Sequence, residues 1–428
     1  MIAQGALISL VTRVVAVALG LAITLIVARI GAHEQGIFAL FTAVEGGVLA
    51  LCSGLGIALA RRISHHGESP AEIVSTIVLT SIVAGSLVGV LLYVVAGSID
   101  SYSSLWILAA ASPLLLIASN LSGVYLGQGR MRALAGVTLG GPLLTLLFVA
   151  LFFLSNGAVD VESVLWSWVA ARVVLGLITY RVLSGSVGLS PPSLHLLRSL
   201  LPFVLAIGLT NLIGIMNYKV DLFLVEHFLG LSSTGVYSIA VMIAELLWFV
   251  SSALAQAAYA RIGAPDRAEA ARLTLRVAHT SILLLLLLAI PLWLGAALLL
   301  PLLLGKEYAA ALPVLALLLP GVVAYGAASG VSAFFTNHVG RPLIPAAIAA
   351  FSLLVNLIAS LILIPRWGML GGAMATTLSY LLSVLLAAAI FSRVAAMPLS
   401  ELLWPEWGAI WRQLWGYRQL ILGKGARG

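Results

Sequence analysis

The sequence predicts an all-α polytopic membrane protein, with about twelve transmembrane helices in two parallel six-helix lobes. Three observations carry that prediction: the solvent the composition demands, the spacing of long apolar runs, and a repeat that places glycines and arginines at matching points in both halves.

Hydrophobic residues make up 62% of the 428 and charged residues only 9%, with a mean hydropathy of +1.14. A water-soluble domain carries about 25% charged residues, so this chain cannot cover its surface with charge and hydrocarbon must be its main solvent. About 20 apolar residues cross a bilayer core as a helix. Runs of that kind fall at roughly 5–29, 36–60, 73–96, 105–126, 134–154, 163–183, 200–225, 235–260, 277–302, 309–335, 343–364 and 370–392. The first run lacks the charged start and small-residue cleavage site of a signal peptide, and it reads as a retained span.

The longest connection, Ser184 to Ser199, reads as a cytoplasmic linker between an N-terminal lobe, 1–183, and a C-terminal lobe, 200–393. After the last run, residues 394–428 read as a cytoplasmic tail. Its Trp404, Trp407, Trp411 and Trp415 share one face of a helix with Arg412 and Arg418 beside it, the pattern of a helix lying in the membrane interface.

Cations are distributed unevenly. Sixteen Lys and Arg residues fall in the even-numbered loops and the tail, and three (Arg29, Lys306 and Arg366) in the odd-numbered loops. Cytoplasmic loops retain positive charge, so the bias predicts a multi-pass membrane protein with both termini in the cytoplasm. The same dispersal over short loops argues against a nucleic-acid partner.

Leu25–Leu40, "LIVARIGAHEQGIFAL", matches Leu224–Ile239, "LVEHFLGLSSTGVYSI": Gly31, Gly36 and Phe38 fall on Gly230, Gly235 and Tyr237 at an offset of 199. Arg62-Ile63 falls on Arg261-Ile262 at that offset, and Gly129-Arg130 and Gly157 fall on Gly340-Arg341 and Gly368 at 211. The added residues are placed in the loop Gly263–Arg276, which reads as a short amphipathic helix. Six spans per half is an even number, so both halves enter the membrane in the same orientation. Parallel repeats of that kind are a transporter architecture.

Four segments then resemble one family: "ARIGAHEQGIFAL", "NYKVDLFLVEHFLGLSSTGVYS", "GKEYAAALPVLALLLPG" and "NHVGRPLIPAAIAAFSLLVNLIASLILIPRWGMLGGAMATTLSY". In order and spacing they are similar to the oligosaccharide flippases, the polysaccharide transporter branch of the multidrug/oligosaccharidyl-lipid/polysaccharide (MOP) superfamily, over about residues 1–393. The resemblance implies a two-lobed, MATE-like bundle working by alternating access on an undecaprenyl-pyrophosphate-linked oligosaccharide, in O-antigen, lipopolysaccharide or exopolysaccharide biosynthesis. It implies contact with the polysaccharide assembly machinery and a cavity faced by the first, second, seventh and eighth helices.

Six ionisable residues lie well inside spans: Arg13, Glu45, Arg172, Lys219, Asp221 and Glu245. Each costs about 2.5–3.5 kcal/mol at the bilayer centre on insertion scales, so each needs water or a partner. Arg13, Lys219 and Arg172 are the candidates for attracting a lipid pyrophosphate, because a fixed cation in a low-dielectric cleft holds an anion strongly. Glu45, Asp221 and Glu245 are the candidates for coupling to a proton or sodium ion. Thr210, Asn217 and Asp221 form a polar stripe on the seventh span, and Ser252 and Gln256 continue one from Ser238 and Glu245 on the eighth. The alternative is that the three cations and three anions pair across helices and hold the bundle together. Lys219 and Glu226 would then also be free to snorkel outward.

Enzyme signatures are missing. "LLLGKEY" and "ILGKGARG" lack the Ser/Thr and upstream glycine of a P-loop, and "HEQGI" lacks the second histidine of a zinc helix. The single Cys52 excludes an intrachain disulfide and a cysteine metal cluster. No cofactor or metal is expected. The rival readings are a drug/cation antiporter of the same superfamily and a membrane glycan polymerase.

Overall fold

The structure, a computed structural model, describes residues 2–66, 70–188, 190–263, 266–398 and 400–401. The tail tryptophans and both tail arginines lie outside the described residues. Hydrocarbon offers no partner to a backbone N–H or C=O, so a spanning segment must bond to itself, and helices are the simplest solution. Helices account for the ordered segments, and no strand occurs among the described residues.

Among the described residues, ten helical stretches are long and apolar enough to cross a membrane, two of them 66 and 53 residues long. At 1.5 Å per residue those two reach about 100 and 80 Å, far beyond a core of about 30 Å. Each is interrupted by one glycine with non-helical backbone, Gly230 (φ 78°, ψ 177°) and Gly368 (φ 58°, ψ −139°). Divided there, the chain has twelve spans, as the apolar runs predict.

The first is Ile2–Ile30. The second runs Ala32–Cys52 and continues as Gly54–His66. Pro70–Ser98, Leu105–Gly127, Met131–Asn156 and Val161–Val187 complete the first half. The seventh span occupies 194–229, and the eighth occupies 231–245 and Trp248–Ile262. Arg267–Leu303 is the ninth. The tenth is Ala311–Ala327 with Ser329–Ala333 and a π-turn, Phe334–His338. The eleventh and twelfth occupy 343–367 and 369–395.

Two local expectations change. The loop after the eighth span does not form a separate short helix: from Arg267 it is the first part of the ninth. Nothing breaks it, since Asp266 Oδ1 accepts from the N–H groups of Ala268 (2.8 Å) and Glu269 (3.4 Å) and no Gly or Pro follows until Pro291. The eighth span is interrupted at residues 246–247, so the stripe from Ser238 and Glu245 to Ser252 and Gln256, drawn on an unbroken helix, is split.

The repeat is visible in the backbone. Gly129 and Gly340 both turn left-handed (φ 67° and 68°), as do Gly157 and Gly368 (φ 74° and 58°). These two pairs turn at matching loops, whereas Gly31 (φ 166°) is extended and its counterpart Gly230 (φ 78°) is not.

By packing, the chain divides into two compact units, Met1–Ser238 with Pro301–Tyr308, and Ile239–Leu300 with Ala309–Gly428. In the first, the fourth span is the central post, with 72% of its apolar window buried. It lies directly against the third: a Cβ at Gly85 would collide with the carbonyl oxygen of Ser112, whose hydroxyl donates to Gly85 O at 2.8 Å. Nearby, Asn120 Nδ2 donates to Ser81 Oγ at 2.9 Å. The small-residue stripe Ser81, Gly85, Gly89 is thus a helix contact, as small residues in membrane helices generally are. In the second unit, Trp248, Tyr325 and Tyr380 form an aromatic cluster, with ring centroids 4.5 to 6.0 Å apart. Outward faces are bare hydrocarbon: Val83, Leu87, Val90, Leu91 and Val94 on the third span are all exposed, a stripe that lipid covers.

Asp160 opens the sixth span with a capping box, its side chain accepting from Ser163 N–H at 3.0 Å. That N–H, ahead of the Ser163 hydroxyl, holds the Asp160 carboxyl below its usual pKa. The cap's contribution is therefore present above the ordinary aspartate pKa and is lost as pH falls through the depressed folded value. Asp160→Ala is expected to cost about 1 kcal/mol, and Gly85→Leu about 1–3 kcal/mol by overpacking. Thermal unfolding of the detergent-solubilised protein checks both.

Candidate functional site

The sequence places charge where water is scarce, and the fold decides what each charge meets. Glu45, on the second span, is 3% exposed. It forms an ion pair with Arg172 Nε of the sixth span, and its Oε2 accepts from Trp168 Nε1 at 2.7 Å. Trp168 is one helical turn before Arg172, whose guanidinium lies 3.8 Å from the indole centroid. On its other side Trp168 meets Phe38 edge-on at 5.3 Å. The indole therefore donates to the acid and lends its face to the base, so both charges are neutralised and the pair is clamped.

On the seventh span Asp221 is 2% exposed and accepts from Tyr237 OH at 2.7 Å and from Leu222 N–H at 2.9 Å. Tyr237 begins the eighth span. At the repeat offset, Tyr237 corresponds to Phe38 and Asp221 to Ala22. The second half thus carries a hydroxyl and an acid together where the first half carries neither.

The odd-loop ends of the first, second, seventh and eighth spans meet in a clasp with near two-fold correspondence. A Cβ on Gly36 would strike Leu231 O, and a Cβ on Gly235 would strike Ala32 O. Residues 32 and 36 map onto 231 and 235, so each contact is the repeat image of the other. Gln35 Nε2 adds a bond to Ser238 Oγ at 3.1 Å. Two loop tyrosines reinforce it. Tyr102, between the third and fourth spans, donates to Glu226 Oε2 of the seventh at 3.2 Å. Tyr308, between the ninth and tenth, donates to Ala28 O at 2.9 Å, satisfying a carbonyl that the end of the first helix leaves open. Each half's tyrosine reaches the end of the other half's first span. Burial first, and then the negative charge of Glu226, raise the Tyr102 pKa, so it remains a neutral donor. Glu226 is buried here rather than snorkelling outward.

Arg13 is exposed on the first span, eleven residues from its start. Lys219 is half-buried and Asn217 buried on the seventh, while Thr210 is exposed and bonds back to Ala206 O at 2.8 Å. That stripe is therefore buried at Asn217 and Asp221 only. Glu245 and Ser252 are half-buried in the second unit and Gln256 is exposed there. No group of three or more His, Cys, Asp or Glu suited to a metal occurs among the described residues. The sequence reading missed Trp168, Tyr102, Tyr308 and the bond to Tyr237. Trp168 was signalled by its four-residue spacing from Arg172, and Tyr237 by its pairing with Phe38 across the repeat.

Glu45→Ala strands a guanidinium and is expected to destabilise by about 3 kcal/mol, whereas Glu45→Gln with Arg172→Met recovers most of the loss. Thermal unfolding of Glu45→Gln, Arg172→Met and the double variant measures the coupling. A coupling near zero removes the pair from the core of the site.

Residues 26–313 match the model of a family described as polysaccharide biosynthesis protein. A protein of Haloferax volcanii described as the probable low-salt glycan biosynthesis flippase Agl15 is 24% identical over 384 residues, covering 86% of this chain and 78% of that one. An inward-facing multidrug resistance MATE transporter of the MOP superfamily superposes with a TM-score of 0.76 at 16% identity, over 89% of this chain and 94% of that one. A MOP superfamily transporter from Pyrococcus furiosus, described by the reversed polarity of its binding pocket, gives 0.63 at 16% identity, over 94% and 96%. The fold is that of the MOP transporters, and the chain belongs to the polysaccharide biosynthesis protein family.

Proposed function

We propose that this protein is a flippase that carries a lipid-linked oligosaccharide from the cytoplasmic to the outer leaflet. One observation carries the reading: a chain of a polysaccharide biosynthesis family takes a transporter fold and buries carboxylates, Glu45, Asp221 and Glu226, on its second and seventh spans. The finer form of the proposal is an undecaprenyl-pyrophosphate carrier, an O-antigen or exopolysaccharide cargo, an inner-membrane location and cytoplasmic termini. The work is transport, not catalysis.

In this reading the lobes 1–183 and 200–393 rock about a central path. Arg13 and Lys219 attract the pyrophosphate, since a cation in a poorly hydrated path is worth more than one in water. Arg172 acts mainly through its pair with Glu45 and reaches the anion only by exchanging partners. Glu45, Asp221 and Glu245 are the candidates for coupling to a proton or sodium ion. Protonating Asp221 at the oxygen facing Tyr237 weakens it as an acceptor and changes that hydrogen bond. The odd-loop clasp of Tyr102, Tyr308 and the two glycines is what must part to release cargo on the outer side.

Complementation of a flippase-null strain, scored by surface glycan, tests the function. Wild type is expected to restore glycan, and Arg13→Ala and Lys219→Ala each to lower it at equal protein level by tenfold or more, on the order of one charge contact of about 1.5–3 kcal/mol. Intact export by both variants removes the site assignment. Restored drug resistance without glycan export turns the reading to an antiporter.

A further inference from the structure

A cavity of about 220 Å³ lies in the second packing unit, between the end of the eighth span and the start of the ninth. Each helix contributes residues at i, i+3, i+4 and i+7. On the eighth these are Leu254, Ala257, Ala258 and Arg261, and on the ninth Leu273, Arg276, Val277 and Thr280. The strip is apolar toward the middle of the eighth span and cationic toward the even loop. Among the described residues no carboxylate lines it. Neither Arg261 nor Arg276 has a hydrogen-bond or ion-pair partner among the described residues. The repeat image of Arg261 differs, because Arg62 donates to Ser199 Oγ at 2.8 Å. Two guanidiniums therefore share one small cavity with nothing of opposite sign, and an anion between them relieves that repulsion.

We propose that this cavity binds the phosphate-bearing headgroup of an anionic membrane phospholipid. The guanidinium forks hold the phosphate oxygens, which suits arginine better than lysine. An acyl chain lies along Leu254 and Ala257. Basic pockets between membrane helices at the cation-rich face select such headgroups, and the exposed Arg267 and Arg272 of the same connection add to the local field. The volume falls below the roughly 300–1,000 Å³ of most small-molecule sites, so it admits a headgroup and excludes an oligosaccharide. The proposal does not depend on the flippase reading.

Native mass spectrometry of the delipidated, detergent-solubilised protein tests it, with phosphatidylglycerol and phosphatidylcholine of the same acyl chains as probes. Wild type is expected to prefer phosphatidylglycerol. The pair Arg261→Gln and Arg276→Gln is expected to weaken that binding by about 30-fold, to the level of phosphatidylcholine. Arg261→Lys with Arg276→Lys keeps most of the preference. Ala257→Phe, which fills the apolar strip and leaves both charges, weakens phosphatidylglycerol without any change of charge, so a misfolded glutamine pair does not end the test. Equal binding of the two lipids by wild type, or full phosphatidylglycerol binding by the glutamine pair, overturns the proposal. So does displacement of phosphatidylglycerol by an equal concentration of inorganic phosphate, which makes the ligand a free anion.

Discussion

The second and eighth helices cross through Gly36 and Gly235, and much of the first packing unit depends on that crossing. Backbone meets backbone there, with Gly36 under Leu231 O and Gly235 under Ala32 O, so no side chain larger than hydrogen fits at either position. Between membrane helices there is no hydrophobic gain from leaving lipid, and close approach through small residues is the main source of attraction. The approach in turn brings Gln35 to Ser238 and sets Tyr237 within reach of Asp221. It also lets Tyr308 close the open carbonyl of Ala28.

Charge in this protein is a second consequence of the same solvent. Hydrocarbon cannot hydrate an ion, and each buried acid described here has a donor from a distant part of the chain: Trp168 and Arg172 for Glu45, Tyr237 for Asp221, Tyr102 for Glu226. Glu45 pairs with a guanidinium, and the hydroxyls of Tyr237 and Tyr102 donate to Asp221 and Glu226.

The repeat shows how a symmetric scaffold acquires one-sided chemistry. Left-handed glycines recur at matching loops, and the two glycine contacts are images of each other. Upon that frame the halves diverge. Phe38 packs against Trp168 while Tyr237 bonds an acid, and Arg62 is held by a serine while Arg261 lines an uncompensated cavity. Geometry is shared because the bilayer constrains both halves alike. Side-chain chemistry is free to differ wherever the backbone path is unaffected.

The all-α class, the twelve spans and the repeat were legible in the residues, because they rest on local quantities: apolar run length, the bilayer's thickness and the need of a turn for glycine. Helical spacing drew Thr210, Asn217 and Asp221 as one stripe; the structure buries Asn217 and Asp221 and leaves Thr210 exposed. A break at residues 246–247, which leaves no mark in periodicity, interrupts the eighth span between Glu245 and Ser252. Nor did the sequence choose between a cation waiting for substrate and a cation already paired. Glu45 and Arg172 are 127 positions apart, and only the packing of the second span on the sixth brings them together. Run length and periodicity act along one helix and can be read there; a partner for a charge comes from another helix, and tertiary structure alone decides which.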